Sequence, residues 1–138
     1  IGKLKSYIRE IKINRNNFFW AIIHKESGKH IGNIKLGPVN CRHGFADVGI
    51  IIGEKPFWGK GLATEAITLM VDYAFKKLKL NKLTAGAYAN NVASIKAFKK
   101  AGFKKETLMK QHYYFEGKYI DGVGLSIINK KERVKNES

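Results

Sequence analysis

The stretch Gly53-Glu54-Lys55-Pro56-Phe57-Trp58-Gly59-Lys60-Gly61-Leu62-Ala63-Thr64-Glu65 decides how the rest of the chain reads. Before it, Phe45 to Ile52 has the composition of a strand. Its consecutive Ile50, Ile51 and Ile52 fit a strand covered on both faces and central in a sheet. After it the apolar period changes from 2 to 3.6. Leu62, Ala66, Leu69 and Tyr73 form one stripe, with Ile67, Val71, Ala74 and Leu78 beside it, which predicts a long helix over 62–78. A strand, a glycine turn and a helix N-terminus make a ready anion site. The first-turn N–H groups lack partners, the helix dipole favours negative charge, and glycine lets a phosphate reach the backbone.

Working outward, Leu4, Tyr7, Ile8 and Ile11 recur at helical spacing and predict a short amphipathic helix over 3–13. Phe18 to His24 and His30 to Leu36 read as hairpin strands joined by Glu26-Ser27-Gly28-Lys29, with Gly37-Pro38 as the stop. Downstream, Lys82 to Ala89 reads as a strand and Asn90-Asn91 as a helix start. Val92 to Ala101 is a second helix closed by Gly102. Lys104 to Phe115 and Lys118 to Ile128 are two strands joined by Glu116-Gly117-Lys118. The order α-β-β-β-α-β-α-β-β, without repeat or linker, predicts one domain over 1–138 with a charged tail over about 130–138. The strand–helix–strand unit implies a parallel pair and the hairpins imply antiparallel strands. The expected fold is therefore α/β (α+β), a mixed sheet with helices on both faces.

The 138 residues carry 26 Lys and Arg against 11 Asp and Glu, a formal charge of +15. That balance points to an anionic partner: nucleic acid, an acidic membrane surface or a phosphate-rich small molecule. Only Arg9, Arg15, Arg42 and Arg133 are arginines, and the lysines are spread along the chain. Base reading and bidentate phosphate clamps favour arginine, so most of the charge reads as solvated surface, and neither nucleic acid nor membrane is expected as a partner. The single cysteine, Cys41, excludes an internal disulfide and fits a reducing, cytoplasmic setting. His24, His30, His43 and His112 show no metal-ligand spacing with it, so no metal is expected. No apolar run approaches the roughly 20 residues of a membrane helix, and no secretion signal is expected.

Two phosphate motifs fail at the glycine turn. A Walker A loop needs four residues between its glycine and Gly-Lys, whereas five separate Gly53 from Gly59, and Gly61 stands where Ser or Thr should be. A dinucleotide fingerprint needs Gly or Ala where Thr64 stands, and an acidic residue closing a second strand. A tight strand–helix corner without a ligand remains the bland alternative.

Phe57-Trp58-Gly59-Lys60-Gly61-Leu62-Ala63-Thr64-Glu65-Ala66 resembles the acetyl-CoA pyrophosphate loop, [QR]-x-x-G-x-[GA], of the GCN5-related N-acetyltransferases (GNAT). The branch with ribosomal-protein-alanine and small-molecule acetyltransferases looks most similar. Pro56 stands at the Gln/Arg position, which removes one side-chain contact and leaves the amides. Asn91-Val92-Ala93-Ser94-Ile95-Lys96-Ala97-Phe98-Lys99-Lys100-Ala101-Gly102-Phe103 is similar to the family's N-x-x-S-x-x-x-[YLF]-x-x-x-G-F, and Gly117-Lys118-Tyr119-Ile120-Asp121 to its closing G-[KR]-x-x-D. The resemblance covers about residues 30–128. It implies a mixed sheet splayed after the family's fourth strand, here Phe45 to Ile52, with acetyl-CoA in the notch. It also implies that the family's first strand and helix are missing or lie before Ile1.

The implied activity is direct attack of a primary amine on the thioester of acetyl-CoA. The acceptor would be a small molecule such as an amino sugar, or a protein N-terminus. The chemistry needs a neutral amine, a polarised carbonyl and protonation of the departing thiolate. Cofactor contacts are expected from backbone N–H groups of Ile51 and Ile52 left unpaired at the splay, from Trp58, Gly59, Lys60, Gly61, Leu62 and Ala63 at the pyrophosphate, and from Asn91 and Phe98. Asn91 also reads as a helix N-cap. Better-understood relatives carry a tyrosine where this chain has Phe98, which has no proton to give. The thiolate then leaves unassisted or through water, or Tyr113, Tyr114 or Ser94 supplies the proton. Asp47 is the expected base through a water, with His43 and His112 as alternatives. A homodimer is an expected assembly. A CoA-binding module without turnover and a basic nucleic-acid-binding domain stay open as other readings.

Overall fold

The computed structural model describes residues 5–14, 16–53, 59 and 61–130, with no side-chain detail for 12–14. Its elements are β1 (Ser6–Asn14), β2 (Asn17–His24), β3 (His30–Leu36), β4 (Phe45–Ile52), α1 (Leu62–Lys76), β5 (Lys82–Tyr88), α2 (Val92–Lys100), β6 (Lys104–Phe115) and β7 (Lys118–Ile128). The seven strands form one sheet in the order β1-β2-β3-β4-β5-β7-β6. The expected tail beyond Lys130 lies outside the described residues.

The helix expected over 3–13 is corrected: Ser6–Asn14 is strand β1, antiparallel to β2 from Ser6 opposite His24 to Asn14 opposite Asn17. Ile8, Ile11 and Ile13 are β-branched, and pairing to β2 satisfies a row of backbone groups that a short solvent-facing helix would leave to its own marginal stability. The start of β1 is tied to α1. Glu65 accepts from Lys5 N at 3.1 Å and, through Oε1, from Ser6 N and Ser6 Oγ, each at 3.0 Å.

The other elements follow the expected period. β4 and β5 are the one parallel pair among the described strands, joined through α1. β5 returns through α2 to β6, with β7 between them. Both crossovers travel the same way across the sheet, so right-handed connections put both described helices on one face, where the expectation had helices on both. The core agrees. Leu62, Ile67 and Met70 of α1 and Phe98 of α2 pack with Trp20, Leu36, Val48, Ala85 and Leu125 in one buried cluster. On β4 only the helix-facing residues, Ala46 and Val48, are buried, and Ile51 is 70% exposed on the opposite side. β4 is thus internal in the sheet, but the double coverage inferred from its three isoleucines is corrected. No described helix is long and apolar enough to cross a membrane.

Candidate active site

β4 and β5 pair only from Phe45 opposite Lys82 to Val48 opposite Ala85. β4 stays in register with β3 out to Ile52 opposite Gly32, and β5 stays with β7 out to Tyr88 opposite Gly122. The two halves of the sheet therefore part after Val48, and the chain leaves β4 at that parting to enter the glycine turn. Ile51 and Ile52 lie on the diverging end of β4, as expected. Ile52 has a partner of its own in the folded chain.

Gly61 is the N-cap of α1 with φ 77°, and no described side chain caps the helix. Gly59 has φ 75°. Among the described residues, a Cβ built on either glycine meets nothing within 4 Å, and none of them covers the first-turn amides of Leu62 and Ala63. Glu65, the acidic residue of that turn, is held by Lys5 N and by Ser6 at the start of β1. A phosphate group fits this arrangement. The Leu62 side chain is itself core, so its contribution is the backbone. Trp58 and Lys60 lie outside the described residues.

Where the sheet parts, a cavity of about 220 Å³ is lined by Ile50, Gly86, Ala87, Tyr88, Asn91, Ser94 and Tyr113. Three sequence-predicted residues thus meet in one place: Asn91, Ser94 and Tyr113. Asn91 caps α2, its Oδ1 accepting from Ser94 N at 3.1 Å. The Tyr113 ring packs on Tyr88, with centroids 4.9 Å apart. Burial first, then the carboxylate of Asp47 and then Tyr88, push the Tyr113 phenol above its ordinary value, so it stays protonated through neutral pH and can donate.

Asp47 stands just outside the cavity. Its Oδ1 accepts from Thr84 Oγ1 at 2.7 Å on the face away from the helices. Two residues along β5 on that same face is Gly86, so the carboxylate sits about one same-face repeat, roughly 7 Å, from the cavity wall.

Phe98, expected as a cofactor contact, is 2% exposed and lies edge-on to Phe103 at 5.0 Å in the core; it is not among the residues lining the cavity. Tyr114 is 64% exposed and packs on Tyr119 away from the cavity. His43 stacks on Phe45, and His112 stands edge-on to Tyr113. Among the described residues no cluster of His, Cys, Asp and Glu could hold a metal ion.

Sequence reasoning missed Thr84, Gly86, Tyr88 and Gly122. The legible signal was glycine inside strands, in Leu83-Thr84-Ala85-Gly86-Ala87-Tyr88 and Asp121-Gly122-Val123-Gly124, which marks a close approach. Built Cβ atoms on Gly86 and Gly122 would stand 2.8 Å from the Tyr113 hydroxyl and 2.6 Å from its Cε2. The phenol lies where neither strand has a side chain.

Residues 2–104 match the acetyltransferase (GNAT) domain family. The chain is 32% identical over 112 residues, 81% of its length, to the uncharacterized N-acetyltransferase p20 of Bacillus licheniformis, covering 62% of that protein. It is 33% identical over 100 residues, 72% of its length, to the spermidine N(1)-acetyltransferase of Escherichia coli K12, covering 53% of it. The chain thus spans less than two thirds of these relatives. A crystal structure of the Vibrio cholerae spermidine N-acetyltransferase with CoA and spermine superposes with a TM-score of 0.77 at 25% identity, covering 84% of this chain and 68% of that one.

Proposed function

The chain belongs to the GNAT acetyltransferase family, and from that premise we propose that it transfers an acetyl group from acetyl-CoA to a primary amine by direct attack. The observation that carries the reading is the parting of β4 from β5 after Val48, with the Tyr113 cavity beside it.

Acetyl-CoA supplies a thioester, an activated acyl group with a weakly basic leaving thiolate. The chain's own residues bind and orient it. Amides of Leu62 and Ala63, with Gly59, Gly61, Trp58 and Lys60, receive the pyrophosphate. The backbone at Ile51 and Ile52 and the side chain of Asn91 line the path of the arm. Phe98 supports α2 from the core and takes no direct part. Tyr113, held neutral, donates its proton to the departing thiolate, and Ser94 adds a second hydroxyl at the cavity wall. Asp47, oriented by Thr84, takes the amine proton through water.

Two of the proteins described above are named for spermidine, so spermidine heads the acceptor panel, followed by amino sugars and a peptide N-terminus. The net charge of +15 disfavours a polycation at long range, and this sets the ionic strength of the test low and then physiological. A homodimer belongs to the same proposal and is read by sedimentation. Acetyl-CoA titrated into the full chain should give saturable heat, and free thiol should appear with at least one amine of the panel. Heat without thiol release across the panel would leave a CoA-binding module; no heat removes the reading.

A further inference from the structure

Resting on the reading of Tyr113 as proton donor, we propose that Asp121 is its positioning residue: by capping the Gln111 amide it pins a bulge in β6 that turns the phenol into the cavity. The register carries this. Met109 faces Gly122 and Tyr113 faces Ile120, so Lys110, Gln111 and His112 stand against the single residue Asp121. Two surplus residues leave the ladder, and the strand bends. Gln111 takes φ 46°, a left-handed conformation that a non-glycine residue holds only when its surroundings enforce it.

The enforcing contact is the 2.9 Å hydrogen bond from Gln111 N to Asp121 Oδ1. The Asp121 carbonyl meanwhile accepts from Ala89 N at 2.9 Å, at the end of β5 and two residues before Asn91. One residue therefore ties the β6 bulge to the cavity's opposite wall. A regular ladder would carry residue 113 two positions along β7. With the bulge, the Tyr113 ring crosses Gly122 and its hydroxyl lies over Gly86. The two glycines clear the bed and Asp121 sets the approach.

The test reads the phenol without any substrate. Fluorotyrosine placed at position 113 of the full chain gives a fluorine resonance whose titration reports the surroundings of the hydroxyl: Asp47, Tyr88 and His112. In the otherwise unchanged protein, and in Asp121→Asn, whose amide oxygen still accepts from Gln111 N, the midpoint should lie above that of free fluorotyrosine. In Asp121→Ala it should fall to the free value, and kcat should fall about tenfold with acetyl-CoA affinity unchanged. Asp121→Glu, which moves the acceptor by one methylene, replaces the alanine variant if that does not fold, with the same outcome expected. An unmoved midpoint in Asp121→Ala or Asp121→Glu overturns the positioning role. Tyr113→Phe separates the two readings: if it turns over normally while the Asp121→Ala midpoint moves, the donor assignment fails and the clamp stands.

Discussion

Asp47 on β4 accepts a 2.7 Å hydrogen bond from Thr84 on β5, one rung before the two strands part. The bond fixes a carboxylate at the mouth of the opening, on the face the described helices leave bare. Replacing Asp47 by Asn keeps an oxygen for Thr84 and removes the charge. We expect kcat to fall by about 10²-fold, within the range of a lost general base, while calorimetry gives the same acetyl-CoA affinity. A normal rate of thiol release would remove Asp47 as the base.

Gly61 combines φ 77° with a Cβ position that no described residue approaches within 4 Å. Gly61→Asp places a carboxylate where a diphosphate is to bind. Saturable acetyl-CoA heat should vanish while the circular dichroism stays that of the folded chain. Gly61→Ala carries only the backbone strain, about 1–2 kcal/mol, and should still bind. Equal binding by the Asp variant would refute the loop assignment.

Gly86 sits 2.8 Å, at a built Cβ, from the Tyr113 oxygen. Gly86→Ala displaces the end of one side chain and leaves the β5 backbone undisturbed. The expected signature is about a tenfold lower kcat with an unchanged melting temperature and acetyl-CoA affinity. Steady-state kinetics with the best acceptor, together with a thermal melt, check it.

The Tyr113 phenol is raised above its ordinary value of 10.0, by burial first and by Asp47 next. The folded chain therefore holds this proton more tightly than the unfolded chain does. The linked stability is complete below about pH 10 and is lost as pH climbs through the folded value. Melting temperatures measured from pH 8 to 11 should fall more steeply for the unmodified chain than for Tyr113→Phe. Parallel curves would show that the phenol is not desolvated.

Phe98 is closed off beside Phe103 in the core. Phe98→Tyr brings a hydroxyl among apolar neighbours, at a cost of about 1–3 kcal/mol for an unpaired buried group. The melting temperature should drop by several degrees with no gain in turnover. A faster enzyme of unchanged stability would place residue 98 at the reaction centre after all.

Residues whose role is local were legible in the sequence. The period change at Leu62, the Asn91 cap bonded to Ser94 N, and the Glu116-Gly117 turn with φ 48° and 82° each express interactions within a few residues. Ser6–Asn14 misled because Tyr7, Ile8 and Ile11 suit a helix and a strand alike, and β2, a partner lying further along the chain, decides between them. The burial of Phe98 was not legible for a related reason: position within a motif does not say which side of α2 meets the core.

By itself the sequence determined the elements from β2 to β7, the glycine-lined entrance to α1 and the family, because periodicity, capping and turn conformation are properties of neighbouring residues. Tertiary structure alone decided that Asp47 meets Thr84, that Tyr113 rests on Gly86 and Gly122, and that Asp121 reaches Gln111. Those meetings depend on strand register and on a bulge of two surplus residues, and register is set by the packing of the whole sheet.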